Sequence, residues 1–128
     1  MIVLGGEAAS SKMGHDCSYD NELEVIRVRH HGQSDVEDFR QARDWVVRLQ
    51  EEHDNVRVVV NLQEVTDAPP TLDIYQFASE LPIQLHIAMV CGSELHEDLH
   101  FLETVAMNRG RRIKLFANEA DALSWLRS

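Results

Sequence analysis

The sequence predicts a single α/β domain built on a mixed, mostly parallel sheet, and three observations carry that expectation. Short runs rich in β-branched and aliphatic residues (Val56–Leu62, Leu85–Cys91, Arg112–Ala117) alternate with segments of helical periodicity, roughly 10 to 18 residues each; this alternation calls for right-handed crossovers and parallel pairing. An extended pair precedes the first helix and adds an antiparallel hairpin. The chain has 128 residues, 44% of them hydrophobic, enough for one core, and it carries no internal repeat and no Pro/Gly/Ser-rich linker.

Residues 1–14 read as an extended arm or short edge strand, because small and polar residues dominate from Gly5 to Gly14. The domain proper spans 15–128. Asp20-Asn21 suits a tight turn, since both residues tolerate positive φ. In the segment Glu22–His31, Ile26 and Val28 alternate with Arg27 and Arg29, which is the period of a strand. Ser34 and Glu37 fit a capping box ahead of a helix over about 34–52, whose Val36, Phe39, Ala42, Val46 and Leu49 form one stripe. Val56–Leu62 reads as a buried strand. Asp67-Ala68-Pro69-Pro70 is a loop, since proline extends neither element. Thr71 caps a helix to Leu81 with a broad apolar face of Ile74, Tyr75, Phe77, Ala78 and Leu81. A strand follows over Leu85–Cys91, then a helix over about 94–109 that stops at Gly110. Arg112–Ala117 is the last strand, and Asn118 caps the last helix. The expected order is β-β-α-β-α-β-α-β-α, with four helices.

Twelve Lys+Arg stand against twenty-two Asp+Glu, a formal net charge of −10. Such a surface repels phosphate backbones and anionic lipid, so no nucleic-acid partner is expected. No apolar run is long enough to cross a bilayer, and Met1-Ile2-Val3-Leu4 lacks the basic flank of a secretory signal. Two cysteines, Cys17 and Cys91, make no disulfide framework and favour a reduced, cytoplasmic setting.

Several phrases then carry a resemblance. They are the strand, glycine and capped helix of Val25–Arg40; Val58-Val59-Val60-Asn61-Leu62-Gln63-Glu64-Val65-Thr66; Ile87-Ala88-Met89-Val90; and Phe116 to Leu126. Over about residues 17–127 the chain resembles the SpoIIAA-like superfamily. That group includes anti-sigma-factor antagonist (STAS) domains, CRAL-TRIO lipid-binding domains and small stand-alone bacterial proteins, and the likeness is greatest to the last. The resemblance implies one SpoIIAA-like domain. Antagonist domains of the STAS type carry a phosphorylatable Ser at the start of the helix after the strand matching Val58–Leu62, and usually an Asp where this chain has Asn61. Here proline occupies the phosphoacceptor region. Thr71 is the nearest hydroxyl, and capping a helix accounts for it.

His96-Glu97-Asp98-Leu99-His100 matches the H-E-x-x-H pattern, in which two imidazoles one turn apart hold zinc and the Glu is a general base. Glu119 lies downstream where a third ligand could stand. At 100° per residue, however, Leu95, Leu99, Leu102 and Ala106 share one side of this helix, and His96 and His100 fall well away from it, toward solvent. The pair is read as an adventitious metal site ahead of a catalytic one. His30-His31 read as a strand terminus with partly exposed rings, and His86 as a hydrogen-bonded core histidine. Cys91 precedes a helix N-terminus, where a thiol pKa can fall, but reads as a small buried hydrophobe. Arg109, Arg111, Arg112 and Lys114 complement a helix C-terminus. There is no GxGxxG, no Walker loop and no G-x-S-x-G, so no cofactor and no catalytic set are assigned.

Open α/β sheets bind ligands at the trailing ends of their parallel strands. The candidate ligand contacts are therefore Thr66, Thr71, Ser93 and Asn118 in those loops, with Tyr75 on the helix beyond. Three functional readings follow. The first is a cytoplasmic STAS-like regulatory or interaction module without catalytic activity, binding a protein partner or a second copy as a homodimer. The second is a binder of a lipid or small apolar ligand, with the surplus apolar face of helix 71–81 lining a cavity or a dimer interface. The third is a zinc hydrolase using His96, Glu97 and His100.

Overall fold

The computed structural model describes the backbone of residues 8–12 and the whole of residues 14–128. The part of the N-terminal arm expectation that concerns residues 1–7 and 13 falls outside those described, while 8–12 form an edge strand. The elements are β1 (Ala8–Lys12), β2 (His15–Asp20), β3 (Val25–Gln33), α1 (Val36–His53), β4 (Arg57–Asp67), α2 (Thr71–Ser79), β5 (His86–Val90), α3 (Ser93–Asn108), β6 (Arg112–Phe116) and α4 (Glu119–Arg127). One six-stranded sheet runs in sequence order from β1 to β6. β1–β2 and β2–β3 pair antiparallel; β3–β4, β4–β5 and β5–β6 pair parallel.

Strictly sequential parallel strands with right-handed crossovers place α1, α2 and α3 on one face. Val28, Val58, Val60, Leu62, Ile87, Met89 and Leu115 meet Phe39, Val46, Leu49, Ile74, Leu99 and Leu102 there in the main core. The alternate side chains of the same strands, Val25, Val59, Ala88 and Val90, pack under α4 through Ala122 and Leu126. Each large side chain buried in this way contributes roughly 1.5–3 kcal/mol. One helix cannot cover a six-stranded sheet, and the sequence fills the remainder with charge. Arg27 pairs with Asp20 and Glu119, and Arg29 with Asp16 and Glu64. Among the described residues no helix is long and apolar enough to cross a membrane.

The caps differ from expectation in instructive ways. The N-cap of α1 is Asp35, one residue after Ser34: its Oδ1 accepts from the Asp38 N–H at 2.9 Å while Asp38 Oδ2 accepts from the Asp35 N–H at 3.0 Å. Ser34-x-x-Glu37 and Asp35-x-x-Asp38 satisfy the same capping pattern, and burial decides between them, because Ser34 is drawn beneath the strand ends. Thr71 is the first helical residue of α2 rather than its cap; Pro70 precedes it, and no side chain caps the helix. Asn118 caps α4 as expected, accepting from Asp121 N–H at 2.9 Å. The β2–β3 turn takes four residues, Asn21 to Glu24. Asp20 builds it with its carboxylate, which accepts from the Glu22 and Leu23 N–H groups, and the positive φ falls on Glu24 at 55°. Helix α3 stops where Gly110 takes a φ of 76°, as a C′ glycine does.

Candidate functional site

A cleft opens at the trailing ends of β3 and β4, against the first turn of α1, and holds about 550 Å³. Its walls are Gly14, His31–Asp35 and Asp67–Pro69, with Asp38 at the base. Three local facts open it. The register of β3 against β4 shifts between Arg29 and His31 and again between Gly32 and Gln33, so the two strands part company there. The paired prolines Pro69-Pro70 hold the β4–α2 connection extended. Two main-chain bonds then fix the rim, from Ser34 N–H to Asp67 O and from His31 N–H to Gly14 O, both 3.0 Å.

Beneath the rim lie two buried dyads. His15 is fully buried and its Nδ1 lies 2.7 Å from Asp38 Oδ1. That carboxylate therefore serves the capping box and the imidazole at once. His30 is also buried; its Nδ1 lies 2.7 Å from Ser34 Oγ, and its ring stacks on Phe39 at 3.8 Å. Burial, with His15 and His31 nearby, pushes the His30 pKa down to about 3, so the ring is neutral and accepts the Ser34 hydroxyl proton or donates to its oxygen. The two rings stand 6.1 Å apart. Acid and hydroxyl thus belong to different imidazoles, which is not the relay of a Ser–His–Asp site. Ser34 is 1% exposed, and its hydroxyl is engaged with His30. What the cleft offers a visitor is acceptor groups, the exposed carboxylates of Asp35 and Asp67; the His31 ring turns its Nε2 toward Asp16 at 3.3 Å. The Asp35 carboxyl is held below the usual carboxylate range by the N–H of Asp38.

The expected ligand residues do not line this cleft, and the structure places each elsewhere. Thr66 is exposed near the end of β4, Thr71 is half-buried at the start of α2, and Ser93 is exposed at the start of α3. Asn118 is engaged at the N-terminus of α4. Tyr75 enters a small apolar crevice between α2 and α3, beside Leu99, Leu102 and Glu103, where its hydroxyl has no hydrogen-bond partner among the described residues. A second apolar crevice, between α1 and α2, holds only about 40 Å³.

The histidines are redistributed. His30, expected at a partly exposed terminus, is 1% exposed, because the alternation Ile26–Val28–His30 carries it to the core face. His86, expected in the core, is half-buried on the α4 face and its Nε2 lies 2.8 Å from Arg112 Nη1. His96 and His100 stack at 6.2 Å on α3. Glu119 cannot join them: α4 is on the opposite face of the sheet, and its carboxylate is taken by Arg27 at 2.6 Å and Asn61 at 3.2 Å. Among the described residues no three His, Cys, Asp or Glu side chains are placed to hold a metal ion. Both thiols are buried, and burial pushes Cys17 up to about 12 and Cys91 up to about 11.

The SpoIIAA-like family model matches residues 25–127. No curated protein matches the chain. Two solved structures share the fold. One is an uncharacterised DUF3478-family protein with a SpoIIAA-like fold from Shewanella loihica PV-4, with TM-score 0.58 and 15% identity, covering 94% of this chain and 99% of that one. The other is an anti-sigma factor antagonist from Mycobacterium paratuberculosis, with TM-score 0.63 and 14% identity, covering 94% of this chain and all of that one.

Proposed function

We propose, for a chain that belongs to the SpoIIAA-like family, a regulatory module that works by binding another protein and catalyses nothing itself. The open, acid-rimmed cleft beside α1 carries this reading. Its reactive-looking groups are consumed in holding the fold: Asp38 by His15 and the capping box, Ser34 by His30. Its remaining groups, Asp35 and Asp67, accept hydrogen bonds and positive charge, so the partner presents a basic segment. The antagonist named among the structural neighbours supports a regulatory role by fold analogy alone. The two unpaired buried thiols support a reducing, cytoplasmic setting.

A lipid or other apolar ligand is less well supported. Ligand pockets run to about 300–1,000 Å³, whereas the apolar crevice under α1 and α2 holds about 40 Å³ and would have to open several-fold. Capture from native lysate tests the choice. The wild-type chain is expected to retain a defined protein that the Asp67→Lys variant loses, since that exposed carboxylate carries no hydrogen bond among the described residues. Equal retention by both, or turnover of a substrate by the purified chain, overturns the reading.

A further inference from the structure

We infer that α3 is a self-association surface, on which two copies pair through antiparallel α3 helices about a two-fold axis near Thr104. The helix is the last of the three on its face and packs over β6, the strand at the end of the sheet. Its outward stripe is Glu97, Phe101, Thr104 and Asn108, with Met107 alongside, all exposed. Phe101 is 55% exposed and Met107 65%, two of the five large hydrophobic side chains left in solvent among the described residues. Spacing of four, three and four residues is that of a helix seam.

The charge on this surface names the occupant. Glu94, Glu97 and Asp98 crowd the first two turns, and Arg109 closes the helix with Arg111 and Arg112 beyond it. Arg111 is committed to the Leu81 carbonyl at 2.8 Å and Arg112 to His86, while Arg109 is exposed and makes no ion pair among the described residues. A surface acidic at one end and basic at the other complements itself only when turned end for end; a parallel copy would set acid on acid. The two-fold arrangement brings Phe101 level with the partner's Met107 across the small Thr104, and the acidic turns level with the partner's Arg109. The helix is about 24 Å long, and one such face buries less than the roughly 1,200 Å² of a standard interface, so the dimer is weak and concentration-dependent. The surface is separate from the cleft beside α1.

Sedimentation velocity on the full chain from about 5 to about 500 μM reads this directly. The mass is expected to climb from 14.6 kDa toward twice that value, and to climb less in high salt. Phe101→Glu is expected to abolish the rise. Glu97→Arg and Arg109→Glu are each expected to weaken pairing about tenfold, and the double exchange to restore it. Circular dichroism checks that these exposed substitutions leave the fold intact. A monomer at every concentration, a dimer indifferent to Phe101→Glu, or a double exchange no better than its single parents overturns the assignment. Asp67→Lys leaves the dimer unchanged, so a failure here is distinguishable from failure of the cleft.

Discussion

Gly14 and His30 show how single residues hold the cleft. Gly14 has a φ of 104°, and a Cβ placed there would lie 2.6 Å from Asp38 Cγ. Only glycine fits both the backbone and the approach of the carboxylate that His15 needs. Gly14→Ala is expected to destabilise the fold by about 2 kcal/mol or more in urea denaturation, through strain and a displaced buried pair. A loss below about 0.5 kcal/mol would show that Asp38 moves aside without cost. His30 gives a pH dependence of known sign. Its pKa is lowered to about 3, so below its ordinary 6.5 the folded chain binds fewer protons than the unfolded chain. Its contribution is complete above about pH 6.5 and drains away as pH falls toward 3, with a slope approaching ~1.4 kcal/mol per pH unit. The stability of His30→Phe is expected to fall less than that of the wild type between pH 6.5 and 4.5; parallel curves would show that His30 takes up no proton differentially. His86 also has a lowered pKa, but it is present in both proteins and cancels in the comparison.

At the scale of elements, the strands and helices were legible because each has a clean period. Arg112 to Phe116 and Val36 to His53 fall within a few residues of where the pattern puts them. What was not legible is which of two equivalent patterns the tertiary structure selects. Ser34 and Asp35 both precede an acid by three residues, and only the descent of Ser34 under the β3–β4 opening makes Asp35 the cap. Asp35→Ala is accordingly expected to cost about 1 kcal/mol, and Thr71→Ala no more than about 0.5 kcal/mol, because Thr71 caps nothing. A larger loss at Thr71 than at Asp35, read by thermal melting, would reverse that assignment. The same ambiguity hid the cleft. Sequence reasoning pointed to the trailing strand ends as a class and to the loops after β4, β5 and β6, whereas the opening sits at β3–β4, where the register shifts break the ladder. A register shift leaves no periodic mark. The one available signal was the parity of His30 with Ile26 and Val28, which assigns it to the buried face.

For the whole molecule, the strand order dictates an unequal sandwich. Three crossovers of one hand fill one face, and α4 alone closes the other, held by Ala122 and Leu126 in the small core and by the Arg27–Glu119 pair at its first turn. The exposed part of that face is charged, so α4 separates two environments, an apolar floor beneath it and an ion-pair field beside it. Removing its apolar anchor should then loosen the helix before it unfolds the sheet. The main core on the far side shares none of the side chains in the α4 cluster. Leu126 is 2% exposed, and Leu126→Ala is expected to cost about 2–4 kcal/mol. Hydrogen exchange locates the loss. Amides of α4 are expected to lose protection while those of β4 and β5 keep most of theirs, since their ladders remain covered by α1–α3. Uniform loss across β4, β5 and α4 would mean that the two faces unfold as one unit, and that α4 is as much a part of the core as the three helices opposite it.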